Sequence, residues 1–456
     1  MVQRGRLDGY RAVDGSTATS TFLIVSASPA IVPRSDSGDN VDNVDDGPWA
    51  PLRIRVYRWL WIAGLVSNVG TFMHLVAAGW TMTTLSTSPT LVGLVQAAWT
   101  VPGFLLALHA GAFADLFDRR RLIVATQLVA LGVAAALGVV QLAGAMSVGL
   151  LLAGTFVESV ALTAAAPAFM AMTPELVGAR HLPQAIGLDS ISRNAAQAIG
   201  PAIAGGVIAA TGPGGVFLLN AASFVGVVAV VRAYRPPSPH DRSAGAIGAA
   251  IRSGVLHVVS RRSLRFPVVR LALVSSTGAI LAALLPLVAR ERLHVGAAGF
   301  GALTAGMGVG AVVAVWLLTR IRSPERPELA ALVATVLWSL GTVTLALSTA
   351  WWLGVIAVVL AGAGSMGSLS VLFANYTLQL DPGVRGRGSS LSMLMVWLGA
   401  TLGAVAAGVV ASAIGVRDTL IGAALVSLVV MIGARWSMPL TVPALAMEPA
   451  RRTDAA

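Results

Sequence analysis

Long apolar stretches separated by short polar connections fill most of the chain from Tyr57 onward. A helix needs about 20 apolar residues to cross the hydrocarbon core of a bilayer. Because backbone groups find no water in lipid, each such stretch should be helical. Twelve membrane-spanning helices are predicted, at 57–84, 90–115, 121–143, 146–173, 184–211, 213–233, 267–289, 297–319, 328–349, 351–379, 386–414 and 416–435.

Arginines between the spans give the predicted bundle an orientation. All 31 Lys+Arg residues are arginine, and most of them fall on one side of the bundle. That side carries Arg53, Arg55, Arg58, Arg119–Arg121, Arg180, the cluster within 232–265, Arg320, Arg322, Arg326, Arg385, Arg387 and Arg435; the other side carries Arg290, Arg292 and Arg417. Since basic residues concentrate in cytoplasmic loops, both termini should be cytoplasmic. The Ala/Gly/Val/Arg-rich composition favours a bacterial source, and thus a multi-pass protein of the bacterial plasma membrane.

Glycines repeat between the two parts of the chain. The glycines at 200, 205 and 212 match those at 403, 408 and 415, each 203 residues later, and Gly93 matches Gly301 at a similar offset. Two six-helix halves related as a parallel repeat are typical of secondary transporters; a chance alignment of common glycines is the alternative. The predicted parts are a disordered tail at 1–52, halves at 53–233 and 267–436, a basic loop at 234–266 and a cytoplasmic tail at 437–456.

Composition excludes several classes of function. Charged residues make up 11% of the chain, against roughly 25% in soluble proteins, so little of it can form a water-facing domain. There is no cysteine, which excludes disulfides and thiolate sites, and no pair of histidines has metal-ligand spacing. We find no phosphate-binding loop and no catalytic constellation, so no enzyme, metal or cofactor is expected. The arginines form no single stripe, and nucleic acid is not an expected partner.

The segment GAFADLFDRRR, residues 111–121, resembles the loop motif between the second and third helices of the major facilitator superfamily. Segments 67–98, 174–206, 217–224 and 385–391 are similar to its transmembrane secretion effector branch, which exports drugs and siderophores. The resemblance covers roughly 53–436. It implies an all-α membrane protein with twelve transmembrane helices in two six-helix halves.

The loop motif implies a latch on the cytoplasmic side. In the family, the carboxylate of the motif, here Asp115, contacts the start of the eleventh helix, here near Gly386–Ser389. A carboxylate at a helix N-terminus is stabilised by about 0.3–1 kcal/mol. The alternative is that the arginines only mark the cytoplasmic side of the membrane. That alternative would not explain Asp115 or Gly111. The predicted latch residues are Gly111, Asp115, Arg119, Arg120 and Arg121.

A second motif lies in the fifth predicted span. Gly200, Pro201, Gly205 and Gly206 resemble the exporter motif G-P-x-x-G-G, with one extra residue. Proline removes a helix hydrogen bond, and glycines allow bending and close packing. An ordinary kinked membrane helix would show the same residues.

Polar side chains inside the spans are the candidates for chemistry. Glu158 lies near the middle of the fourth span, where a carboxylate must line a cavity or find a partner. It could take up and release a proton, or form a structural pair with a neighbouring helix. Asn68, Thr71 and His74 lie on or beside one polar stripe of the first span, and His74 titrates in the physiological range. As a lone histidine it could equally be a hydrogen-bonded packing residue.

Three polar residues four apart mark one face of the fifth span: Asp189, Arg193 and Gln197. An Asp189–Arg193 pair within the helix is predicted, and the face could line the cavity between the halves.

Together these features predict a monomeric, proton-coupled exporter of an amphipathic small molecule that works by alternating access in the lipid bilayer. Drugs, siderophores and secondary metabolites are the substrate classes that the resemblance implies. An uptake carrier of the same fold and a transport-inactive sensor or scaffold are the alternatives.

Overall fold

The fold is a bundle of long helices. A computed structural model of the chain describes residues 47–106, 118–234, 262–320, 326–380 and 385–440. After a short 3-10 helix at Ala50–Arg53, the helices in these ranges are α1 (Arg55–Leu85), α2 (Pro89–Leu106), α3 (Arg119–Leu142), α4 (Val148–Thr211), α5 (Pro213–Ala233), α6 (Arg262–Leu287), α7 (Ala297–Arg320), α8 (Pro327–Leu347), α9 (Trp351–Leu378), α10 (Arg385–Ile414) and α11 (Val416–Ser437).

These eleven helices provide about twelve segments of membrane-spanning length, because α4 contains two. Each of the eleven is long and apolar enough to span a membrane. The 64 residues of α4 would extend about 96 Å at 1.5 Å per residue, three times the hydrocarbon core. Its dihedral angles leave the helical region at Gly178, where φ is +70°. That angle favours glycine, and it divides α4 into a first arm, 148–177, and a second arm, 179–211.

The all-α fold predicted from the apolar stretches is therefore confirmed, and most helix ends agree within a few residues. Ordered structure extends beyond the predicted bounds of the two halves, 53–233 and 267–436. Ala50 and Pro51 are buried, and α6 begins at Arg262. Residues 438–440 also contact the bundle. Gly111, Asp115 and most of the 234–266 loop lie outside the described residues.

The repeated glycines form two crossed contacts between the halves. A Cβ atom on Gly93 would lie 2.8 Å from the Ala404 carbonyl oxygen and 3.1 Å from the Gly408 Cα atom. Its repeat partner, Gly301, approaches Gly205 equally closely, with the added Cβ 2.7 Å from the Gly205 Cα atom. The repeat thus brings α2 against α10 and the second arm of α4 against α7, as a two-fold pseudosymmetry requires.

The bundle has two ends, one rich in arginine and one opposite to it. The end at the short connections 86–88, 143–147 and 293–296 is called the opposite end. The largest apolar cluster there contains residues of both halves, such as Met82 from α1 and Leu284 from α6. Trp80 stacks on Phe300 with ring centroids 5.9 Å apart, and the Arg290 guanidinium donates to the Thr83 carbonyl. The halves are therefore joined by packed side chains at this end.

The other end, called the basic end, holds charged contacts within each half. Arg119 pairs with Glu175, and Arg120 donates to the carbonyls of Val231 and Arg232 at the end of α5. Burial and the neighbouring Glu175 carboxylate raise the pKa of Tyr234, which follows α5. These contacts fix the ends of α3, α5 and the first arm of α4 to one another.

The carboxyl-terminal half has a comparable clamp at the basic end. Arg270 on α6 is 1% exposed, and its two terminal nitrogens lie 2.8 and 3.0 Å from the two carboxylate oxygens of Glu328. Arg270 also donates to the Met438 carbonyl, at 3.2 Å. The Leu440 amide donates to Glu328 at 2.5 Å. The residues after α11 are thereby held against α6 and α8.

Candidate functional site: a buried acid and imidazole

The first arm of α4 carries Glu158 into the interior of the amino-terminal half. Its side chain is fully buried, and so is that of His74 on α1. The His74 Nδ1 atom lies 3.1 Å from the Glu158 Oε2 atom. Neither atom has a further hydrogen-bond partner within the described part of the chain. The structure thus brings together two titratable residues that the sequence placed on separate helices.

Two further polar side chains complete this site. The Asn220 Nδ2 atom on α5 donates to Glu158 Oε1 at 2.8 Å, and the Thr155 hydroxyl lies 3.3 Å from His74 Nε2. Both side chains are fully buried. Each end of the acid–imidazole pair is therefore held by a neutral hydrogen-bonding group. Glu158, His74, Asn220 and Thr155 are called the buried dyad site below.

Aromatic and small residues enclose the dyad. The Phe217 ring meets the imidazole of His74 edge-on, with centroids 5.1 Å apart, and the Trp99 ring lies 6.4 Å away. Ser159, beside the acid, donates to the Trp99 carbonyl at 2.5 Å and so ties α2 to α4. The dyad therefore lies inside the amino-terminal half and faces no open space, whereas the sequence left open that Glu158 lines a cavity.

The polar stripe of α1 divides between two neighbours. Asn68 donates to the Ser192 hydroxyl of the second arm of α4 at 3.2 Å, whereas His74 contacts the first arm. Thr71 is partly buried. The stripe therefore joins α1 to both arms of α4, and of its predicted residues the structure brings His74 alone to the acid.

The predicted Asp189–Arg193 ion pair is present in the second arm of α4. Its side chains are 52% and 62% exposed. One turn further along, the backbone of Gln197 lies against Gly308 of α7, where an added Cβ would be 2.7 Å from the Gln197 carbonyl oxygen. The charged pair thus lies just beyond the region where the two halves touch, toward the basic end.

The glycine–proline motif packs against two helices. A Cβ atom on Gly200 would lie 2.9 Å from the Phe72 Cβ atom of α1, and Gly205 contacts α7. The Pro201 carbonyl oxygen would be 2.6 Å from a Cβ on Gly301, whereas Gly206 has nothing within 4 Å. Non-helical dihedral angles occur in α4 at Gly178 and not at this motif. The motif therefore acts in this structure as a packing surface.

Three residues of the predicted latch are described. Arg119 and Arg120 make the contacts at the basic end given above, and Arg121 is exposed. The Arg121 amide is bonded to the Asp118 side chain, which caps α3 at 2.8 Å. Gly111 and Asp115 are outside the described residues, so their contact with α10 stays a prediction.

The carboxyl-terminal half contains a cavity whose lining has polar groups but no acid and no imidazole. The indole nitrogen of Trp338 is buried there and has no hydrogen-bond partner among the described residues. The cavity is lined by Val274, Thr277, Thr335, Trp338, Ser365, Ser368 and Ser427. Titratable side chains are thus buried between helices in the amino-terminal half, whereas this cavity is lined by neutral groups.

Sequence reasoning missed two features of the molecule. The bond from Asn220 to Glu158 was not anticipated, because the rotation of α5 about its axis cannot be determined from one sequence. The pair between Arg270 and Glu328 was not anticipated at all. A signal existed for it, since Arg270 lies within a predicted apolar span, where an arginine needs a partner.

A two-halved bundle of apolar helices with an acid and an imidazole buried together is typical of a membrane transporter. The family model described as transmembrane secretion effector matches residues 46–455. The chain therefore belongs to this family of major facilitator transporters, and it is not an enzyme.

Individual relatives agree with this assignment. The uncharacterized MFS-type transporter YfiS of Bacillus subtilis (strain 168) is 28% identical over 161 residues, which is 35% of this chain and 37% of that relative. A bacterial homolog to the human lysosomal transporter Spinster, solved in an inward-facing and occupied conformation, has a TM-score of 0.68 and 15% identity, covering 85% of this chain and 97% of that one. The nucleoside transporter NupG has a TM-score of 0.67 and 11% identity, covering 84% and 99%. These solved structures share the fold.

Proposed function

We propose that the protein is a proton-coupled exporter of amphipathic small molecules, with the buried dyad site as the place where the proton binds. The observation that carries this proposal is the enclosed contact between Glu158 and His74. With one proton shared between them, the pair is neutral in either arrangement, as carboxylate and imidazolium or as carboxylic acid and imidazole. Without that proton the pair carries one negative charge.

This difference in charge supplies the coupling. An uncompensated charge in a low-dielectric interior costs several kcal/mol, so the amino-terminal half can close around the dyad only when the proton is present. Opening of the bundle to water would allow the proton to leave. A proton can drive transport only if it binds one conformation more tightly than another. Here the closed conformation would require the proton and the open one would not.

The family description and the placement of the arginines support the proposed direction of transport. The family description, transmembrane secretion effector, favours export. The basic end is proposed to be cytoplasmic, with both termini there, and Asp189, Arg193 and Gln197 are proposed to line the substrate cavity from that side. Drugs, siderophores and secondary metabolites are the proposed substrates, and a monomer in the bacterial plasma membrane is the proposed form. Asp115 is proposed to latch the basic end as the family motif implies.

Transport in everted membrane vesicles tests the proposal. Respiration acidifies the lumen of such vesicles, so an exporter should accumulate its substrate there and release protons outward. Vesicles are screened with a panel of dyes, antibiotics and siderophores while a pH-sensitive dye reports the lumen. Asp418→Asn, which changes an exposed carboxylate, is the control for Glu158→Gln. An uptake carrier would move substrate in the opposite direction, and a sensor or scaffold would give no proton flux with any compound.

A further inference from the structure

Asn220 holds one oxygen of the buried acid and leaves the other to the imidazole. Its Nδ2 atom donates to Glu158 Oε1 at 2.8 Å. One lone pair of Oε1 thus accepts a hydrogen bond from an N–H group, while Oε2 faces His74 Nδ1 at 3.1 Å. While the hydrogen bond from Asn220 is intact, Oε1 is therefore the weaker base of the two oxygens, and a proton that binds the carboxylate is favoured at Oε2.

Close packing between α1 and α5 fixes the amide in this place. A Cβ atom on Gly70 would lie 2.8 Å from the Asn220 Oδ1 atom and 2.5 Å from the Ser223 Oγ atom. Any side chain at position 70 would collide with both groups. Ser223 in turn donates to the Asn220 carbonyl at 2.7 Å. The glycine on α1 therefore provides the space that the amide of α5 occupies.

We propose that Asn220 is a positioning residue that directs the coupling proton to the Oε2 atom of Glu158, the oxygen next to His74. The proton then passes between the two residues as the Oε2–H bond breaks and an Nδ1–H bond forms, and the reverse. Asn220 itself neither gains nor loses a proton. The inference rests on the proposed function, since it concerns the same proton.

The surroundings of the acid contain few other charges. Among the described residues in contact with Glu158, His74 is the titratable group, and it comes from α1. From α5 the acid meets the neutral amide of Asn220, and from α2 the carbonyl and indole of Trp99 lie nearby. From α3 the apolar side chains of Leu137, Ala130 and Ala134 pack against this arm, near Gly154 and Ala161. Substitution of Asn220 should therefore change the proton affinity of Glu158 by removing its hydrogen bond, and not by disturbing another charged side chain.

Infrared titration of the purified protein in lipid tests the inference without a known substrate. The carbonyl band of protonated Glu158 is identified by subtracting the spectrum of Glu158→Gln. Asn220→Leu keeps the approximate volume but removes the donor that stabilises the carboxylate, so this band should persist to a higher pH. We expect a shift of about one pH unit, which is a tenfold change in proton affinity. Ser223→Ala, which removes a bond to a main-chain carbonyl only, should leave the titration unchanged.

A second variant displaces the amide without changing its chemistry. Gly70→Ala should push the Asn220 side chain away from Glu158 and shift the band in the same direction as Asn220→Leu. Gly64→Ala is the matched control, because a Cβ atom on Gly64 of the same helix meets nothing within 4 Å.

The outcomes separate the two proposals. If the band titrates in the parent protein but Asn220→Leu and Gly70→Ala leave its midpoint unchanged, the positioning role is wrong and the proposed function stands. If neither a carbonyl band of Glu158 nor an imidazolium band of His74 titrates in the parent protein and is lost in Glu158→Gln, the dyad binds no proton over the range tested and the proposed function itself fails.

Discussion

The Nδ1 atom of His74 lies 3.1 Å from the Oε2 atom of Glu158, inside the amino-terminal half of the bundle. Both side chains are fully buried, so no bulk water screens the pair. A neutral state of the two residues requires one proton between them. Under the proposed function, conformations that expose the dyad to water can lose that proton, whereas its loss from an enclosed dyad would leave an uncompensated buried charge.

The buried clamp of Arg270 and Glu328 should stabilise the carboxyl-terminal half. Removal of one partner of a buried ion pair costs about 3–5 kcal/mol, because the other charge is left without compensation. Glu328 is 20% exposed, so Arg270→Met should cost less than a fully buried pair would, but it should still clearly lower the unfolding temperature of the detergent-solubilised protein. The double variant Arg270→Met with Glu328→Leu should recover most of the loss.

The exposed pair of Asp189 and Arg193 is the reference for this clamp. Exposed pairs four residues apart in a helix contribute about 0.3–0.5 kcal/mol, so Arg193→Ala should leave the unfolding temperature almost unchanged. Equal effects of Arg270→Met and Arg193→Ala would contradict the assignment of Arg270 as a buried structural cation.

Cross-linking should capture the contact between α2 and α10. The hydroxyl oxygens of Thr100 and Thr401 lie 3.0 Å apart across the two halves, within reach of the short Cβ–Cβ separation that a disulfide requires. Since the chain contains no cysteine, Thr100→Cys with Thr401→Cys should form one disulfide on oxidation. Transport should then stop and should return after reduction.

A protease site inserted between residues 235 and 261 makes the cross-link visible. After cleavage the two fragments should stay together on an oxidising gel and separate on a reducing one. Thr100→Cys with Ser412→Cys is the control, because Ser412 is exposed and lies three turns away on α10. Separation of the fragments of the Thr401 variant under oxidising conditions would rule out this arrangement of the halves.

The environment of Arg193 can be distinguished from that of lipid-facing residues by thiol labelling. Arg193 and Ile199 are both exposed on the second arm of α4, but a cavity-lining position meets water. Because the reactive form of cysteine is the thiolate, Arg193→Cys should react with a membrane-impermeant maleimide added to everted vesicles. Ile199→Cys should stay unlabelled. Equal labelling of the two would contradict the assignment of Arg193 to the substrate cavity.

The bundle itself was predictable from the chain because lipid leaves the backbone few options. An apolar stretch of about 20 residues must form a helix there, and length and arginine placement then determine the number of crossings. The repeat of Gly93 and Gly205 at Gly301 and Gly408 also indicated the two halves. The crossed pairing of these four glycines needed the structure, since a repeat in sequence does not say which copies touch.

The candidate site was predictable only in part. A carboxylate in an apolar span is energetically unfavourable unless it has a partner or lines a cavity. Glu158 could therefore be singled out from the sequence. The partners of Glu158 could not be predicted, because contacts between helices depend on the rotation of each helix about its axis. His74 and Asn220 come from α1 and α5, and no spacing in the sequence relates either residue to Glu158. Likewise, the continuation of α4 through Pro174 and Pro183, with its break at Gly178, reflects packing that local propensity does not encode.

Proton-driven transport by Glu158→Gln, compared with substrate exchange by the same variant, tests the central claim most directly. Exchange of labelled for unlabelled substrate across reconstituted vesicles needs the conformational cycle but no net proton movement. Glutamine keeps the shape of the side chain and binds no proton, so the variant should retain exchange and lose efflux driven by a pH gradient. Gradient-driven efflux within about twofold of the parent protein would show that the proton binds elsewhere and would contradict this account.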